Sequence, residues 1–117
     1  MSNYLTILRE EFEASDGSFL AQLRPDLHWD KESFTRLITA MQQCCQQHSK
    51  SETLERWMAN GFWYVPSFVR EWTTHPNFPR VHSTEYYQKA YERLDDLAYW
   101  FFYGESPYLN GTGFEPM

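Results

Sequence analysis

Four histidines, two cysteines and sixteen carboxylates are the residues of this chain that could carry chemistry. His75 and His82 flank a proline-containing loop and Glu85 follows on a helix, a set that could give zinc three ligands and leave the fourth position to water. No His-x-x-x-His or Cys-x-x-Cys pair anchors such a site, so neither a metal nor a cofactor is expected. Cys44 and His48 stand one helical turn apart, the spacing of a nucleophile and its base. No third, orienting residue and no oxyanion-hole signature accompanies them, and small buried thiols are the better reading. Two adjacent positions of one helix cannot face the core equally, which leaves one of Cys44 and Cys45 the more open. Asp95 and Asp96 point about 100° apart on a helix and cannot converge on one reacting atom. Glu92 and Asp96 do share a face, where like charges cost a little helix stability that a cationic partner would offset. Glycine-rich phosphate loops are absent. The run Phe62-Trp63-Tyr64, with Trp72, lacks interleaved Lys and Arg and reads as core material rather than a base-stacking platform. No catalytic set emerges.

The elements that position these residues are helices. Ser83 to Gly104 reads as the longest, with Ser83 or Thr84 as cap, Glu85 in the first turn and Gly104 closing the end. At about 100° per residue it turns Tyr87, Ala90, Tyr91, Leu94, Ala98, Phe101 and Phe102 inward. The opposite side carries Glu85, Glu92, Asp96, Tyr99 and Tyr103, with Trp100 on its flank. Upstream, a first helix spans about Asn3 to Ala14, and its Glu10, Glu11 and Glu13 read as a solvated charge run. A short piece carries Phe19, Leu20 and Leu23 and ends before Pro25. A long amphipathic helix follows from Lys31 to His48, capped by Asp30. Another restarts near Ser51 and stops at Asn60-Gly61, and a further one begins at Pro66. His75 to His82 is an extended loop. The tail after Gly104 is irregular; its Tyr108 and Leu109 are expected to fold back, and residues 110–117 to fray. The expected class is all-α, one compact domain over 1–117 with about four to five helices and a long C-terminal core helix.

Composition narrows the function. The chain has 117 residues with 42% apolar and 19% aromatic content, enough to build a core without disulfides. Ten basic residues against sixteen acidic ones give a net charge of −6. That balance disfavours direct binding to nucleic acid, which needs clustered cations, and favours a protein with a basic surface. No signal peptide and no membrane-length apolar run is visible, and the adjacent cysteines suit a reduced, cytoplasmic setting. The expectation is a small acidic cytoplasmic protein-binding module without catalytic activity, its contact surface at Glu85, Glu92, Asp96, Tyr99 and Tyr103. In size, charge and surface chemistry it is similar to acidic helical immunity proteins, which suggests an inhibitor that neutralises a basic partner such as a toxin nuclease. The alternative is a small-molecule or enzymatic domain with a pocket lined by Trp57, Trp63, Trp72 and Trp100, and His75 or His82 as its polar handle. Homo-oligomerisation through the tyrosine face is a third reading.

Overall fold

The computed structural model of the chain describes residues 3–107. Four of its helices begin on a side chain that accepts from an otherwise unpaired first-turn N–H. Asn3 accepts from Leu5 at the start of α1 (Tyr4–Phe12), and Ser18 accepts from Ala21 at the start of α2 (Phe19–Leu23). Asp30 accepts from Ser33 ahead of α3 (Lys31–His48), and Ser83 accepts from Tyr86 ahead of α5 (Thr84–Tyr103). Gly104 takes φ 81°, the left-handed conformation glycine adopts without strain, and its N–H closes the last turn of α5 on the Trp100 carbonyl at 2.8 Å. With α4 (Arg56–Thr73) the described residues form five helices and no strand, and α5 is the longest at 20 residues. The chain is all-α, as its periodicity indicates. No helix among the described residues is long and apolar enough to cross a membrane.

The fourth helix corrects the sequence reading. Asn60-Gly61 does not stop a helix and Pro66 does not start one, because α4 runs unbroken through both. Pro66 removes one intrahelical N–H, a cost of about 3 kcal/mol. The stripe Met58, Phe62, Val65 and Val69 nevertheless keeps helical spacing across the site, and every member is buried. At about 1.5–3 kcal/mol for each such side chain, burial outweighs the proline.

Gly61 is where α1 crosses α4: a Cβ there would overlap the ring of Phe12. Gly61→Ala is expected to lower stability by about 1–3 kcal/mol in a denaturant titration, although alanine is the better helix former. In a Phe12→Ala background the overlap is gone, and the same substitution should then cost nothing. An equal loss in both backgrounds would show that the crossing is not the cause.

α4 and α5 lie antiparallel. Phe62 stacks on Phe101 with ring centres 4.1 Å apart, Arg70 pairs with Asp95 at 2.6 Å and the Thr73 and Tyr91 hydroxyls meet at 2.6 Å, so rising numbers in one helix face falling numbers in the other. On the other side of α5, Cys45 of α3 donates to the Leu97 carbonyl at 3.4 Å. These neighbours cover the arc of α5 that includes Tyr86, Tyr87, Ala90, Tyr91, Leu94, Leu97 and Phe101. Phe102, expected in the core, lies about 100° beyond Phe101 and falls outside that arc, 45% exposed.

A cluster of aromatic rings in the core gathers around Trp29, the residue before the cap of α3. Trp29 is buried with the rings of Phe19, Phe34 and Tyr87 between 4.9 and 5.1 Å away, and its indole N–H donates to the Tyr86 hydroxyl at 3.0 Å. Its carbonyl is 3.1 Å from His82 Nε2, which ties the loop before α5 to the loop before α3. The expected folding back of Tyr108 and Leu109 and the fraying of 110–117 lie outside the described residues.

Candidate functional site

The outer face of α5 brings together most of the residues expected there. Tyr99 and Tyr103, one turn apart, stack with ring centres 4.5 Å apart while remaining 45% and 74% exposed. Glu85 and Glu92 are exposed on the same side, and Asp96 is half-buried. Trp100 is also half-buried and packs against the core. Phe102 adds an exposed ring that the sequence reading had placed inside.

A neighbouring helix extends this surface. Trp63 is 71% exposed and Tyr64 is also open, although both were expected to build the core. Trp63 precedes Arg70 by seven residues and Phe102 follows Asp95 by seven, which on a helix returns to nearly the same direction. The Arg70–Asp95 ion pair marks the side of the α4–α5 seam on which both aromatics lie. The acidic run around Glu92 is thus partly committed within the molecule, since Asp95 holds Arg70, whose guanidinium also sits 5.5 Å from the Tyr91 ring centre. Arg93, next to Glu92 in sequence, is buried.

The residues of the alternative pocket do not converge. Trp57 and Trp63 line a groove between α1 and α4 with Phe12, Tyr64, Glu13 and Asn60. Trp72 and His75 line a separate, smaller depression with Leu27, Asn77 and Phe78. Trp72 is anchored by its indole N–H on the Leu23 carbonyl at 3.0 Å. His82 faces Trp29, and Trp100 lies against the core, so neither joins those two hollows.

The candidates for covalent or metal chemistry are likewise placed apart. His75 accepts the Asn77 N–H on Nδ1 at 3.1 Å, and among the described residues no group of three His, Cys, Asp or Glu could hold a metal ion. Both cysteines are buried, so neither is the open one expected from their adjacency. Adjacent positions can both be buried because α3 lies between α1 and α5 and is covered on two sides. Burial, and then the charge of Glu55, pushes the Cys44 thiol up to about 12, and burial raises Cys45 as well. Protonated thiols are poor nucleophiles. Cys44 donates to the Met58 sulfur at 3.7 Å, while His48 Nε2 lies 3.5 Å from the Tyr4 hydroxyl. No nucleophile and base pair forms.

Glu11 departs most from its expected role. It is 2% exposed rather than solvated, with Oε1 accepting the Phe19 N–H at 2.9 Å and Oε2 accepting Arg36 Nε at 3.1 Å. Arg36 also donates to the Gly17 carbonyl at 2.8 Å, so one carboxylate and one guanidinium tie α1, α2 and α3 together. The sequence held one clue: Glu11 falls three residues after Leu8, on the apolar stripe, whereas Glu10 and Glu13 remain exposed.

No protein-family model, curated protein or solved structure matches the chain.

Proposed function

We propose that this chain is a non-catalytic protein-binding module that uses the outer face of α5 to cover a basic partner, in the manner of an inhibitor or immunity protein. The observation that carries this reading is the stacked and exposed Tyr99–Tyr103 pair, next to Phe102 in sequence and about two and three turns along α5 from Glu92. Tyrosine offers large contact area with few rotamers to freeze, and stacking fixes these two before any partner arrives. Exposed aromatics in such number mark interaction sites in stable globular chains. Glu85 and Glu92 leave the same face negative, which steers a cationic surface towards it and raises the association rate. The cytoplasm, where the thiols of Cys44 and Cys45 stay reduced, is the compartment that goes with this role.

The test is capture of a partner on the immobilised chain from extracts of the cells that make it, at low and high salt. A basic protein is expected to bind at low salt, to be retained less as salt rises, and to be lost when Glu85→Lys and Glu92→Lys are combined. Both side chains are exposed, so the variant should stay folded, with the reversal in the first turn of α5 costing about 1–2 kcal/mol at most. Capture of nothing at any salt, or of a protein indifferent to both charge reversals, would count against the reading.

A further inference from the structure

We infer that the groove between α1 and α4 receives an arginine side chain of the partner protein, its guanidinium stacked on tryptophan and paired with Glu13. This rests on the reading of the chain as a protein-binding module and names the chemistry that its second contact would recognise. The groove has a volume of about 460 Å³ and is walled by Phe12, Trp57, Trp63 and Tyr64. Gly61 lets the Phe12 ring seat directly on α4, so that ring forms the floor of the groove. That volume falls within the roughly 300–1,000 Å³ of ligand-accepting sites and is ample for one long side chain with a planar head.

Glu13 is the charged residue of the lining, with the Asn60 amide as a second polar group. An apolar occupant would cover that carboxylate without pairing it, at a desolvation cost. A guanidinium suits both parts of the groove: its plane stacks on aromatic faces, it is more weakly hydrated than an ammonium, and its fork matches a carboxylate. The net charge of −6 adds attraction for such a group.

The molecule already holds its own arginines by this chemistry. Arg70 lies 5.5 Å from the Tyr91 ring centre and pairs with Asp95 at 2.6 Å. Arg9 sits 4.4 Å over the Trp57 ring, in an adjoining depression with Leu5, Thr6 and Glu55. The groove repeats the combination of aromatic wall and carboxylate, and no arginine is among the residues that line it. Trp63 also lies on the side of α4 that faces the α5 surface, so one partner can engage Tyr99 and Tyr103 and place an arginine here.

The full chain is titrated with a blocked Gly-Arg-Gly peptide and with peptides carrying lysine or citrulline in place of arginine, followed by NMR at the Trp57 and Trp63 indole N–H signals. Citrulline has the shape of arginine without its charge. The arginine peptide is expected to shift both signals saturably and to bind about 10-fold more tightly than the citrulline peptide, the size of a cation–π and ion-pair increment. Glu13→Gln should bring the arginine peptide close to the citrulline one, and Trp63→Ala should remove the shift at Trp57. Both positions are exposed, and melting curves matching the native chain verify that the variants fold. Equal binding of arginine and citrulline peptides, equal binding of the lysine peptide, or no saturable shift would overturn the assignment. If the peptides fail while charge reversal on α5 still abolishes capture, this site falls and the module reading stands. Arginine-selective binding with capture indifferent to the α5 changes would leave the groove and remove that reading.

Discussion

Trp29→Ala is expected to lower the unfolding free energy by about 3–5 kcal/mol, the range for deleting a large aromatic from a packed core. A domain of this size has about 5–15 kcal/mol in all, so the variant should lose at least about a fifth of its stability. The cause is position. Trp29 fills the space between Phe19, Phe34 and Tyr87, and its removal leaves those rings facing a cavity. A second, separable part is the hydrogen bond from its indole to the Tyr86 hydroxyl. Tyr86→Phe keeps the ring and removes the acceptor, leaving a buried N–H unpaired at a cost of about 1–3 kcal/mol. Trp29→Phe with Tyr86→Phe removes both partners, and the pair should lose less than the sum of the two single changes. Strict additivity in urea titrations would show that the bond contributes nothing and that packing alone explains Trp29.

Glu11→Ala should cost about 2–4 kcal/mol, because it strips a buried acceptor from the Phe19 N–H and an ionic partner from Arg36. Arg36 is half-exposed and can turn to water, which keeps the loss below that of a fully buried broken pair. Glu11→Gln retains an oxygen for Phe19 and should lose roughly half as much or less. The pH dependence follows from burial, which raises the Glu11 pKa against the lowering effects of the Phe19 N–H and Arg36. A folded-state pKa above the unfolded one gives a contribution that is full below the unfolded value and lost as pH rises through the folded one. Relative to the Gln variant, the native chain should therefore lose stability as pH rises above the ordinary carboxylate range. Asp30 has the opposite sign: the Ser33 hydroxyl, and then the Ser33 N–H, lower its pKa, so its cap contribution fades only as pH falls through that lowered value. A native-minus-Gln difference that grows with pH would mean that Arg36 outweighs burial at Glu11.

The starts of α3 and α5 were legible because capping is local chemistry. Asp30 and Ser83 have the short acceptor a first turn needs, and Gly104 has the conformational freedom a last turn needs; Ser18, expected only in a turn, caps α2 in the same way, while α4 starts at Arg56 rather than near Ser51 and has no side-chain cap to mark it. α4 was misread for the converse reason. Gly61 and Pro66 are local stop and start signals, but Gly61 is a packing contact for Phe12 and the stripe through Pro66 is buried, so tertiary structure decided. Which members of an aromatic or acidic run face inward depends on where the neighbouring helices lie. That arc separates Phe101 from Phe102, Phe62 from Trp63 and Glu11 from Glu10, pairs that are alike in type and adjacent in sequence. Of the candidate surface, the tyrosine pair was readable from its spacing, while the contributions of Trp63 and Phe102 needed the antiparallel pairing of α4 with α5.

The central claim, that the tyrosines of α5 anchor a protein partner, is tested most directly by the affinity of the captured partner for a chain carrying Tyr99→Ala and Tyr103→Ala. Loss of two central aromatic anchors should weaken binding by at least about 30-fold, equivalent to roughly 2 kcal/mol, with the melting temperature unchanged. A partner that binds this variant as tightly as the native chain, yet is lost on substitution of the exposed Gln43 and Gln47 on α3, would place the interface elsewhere and contradict the account.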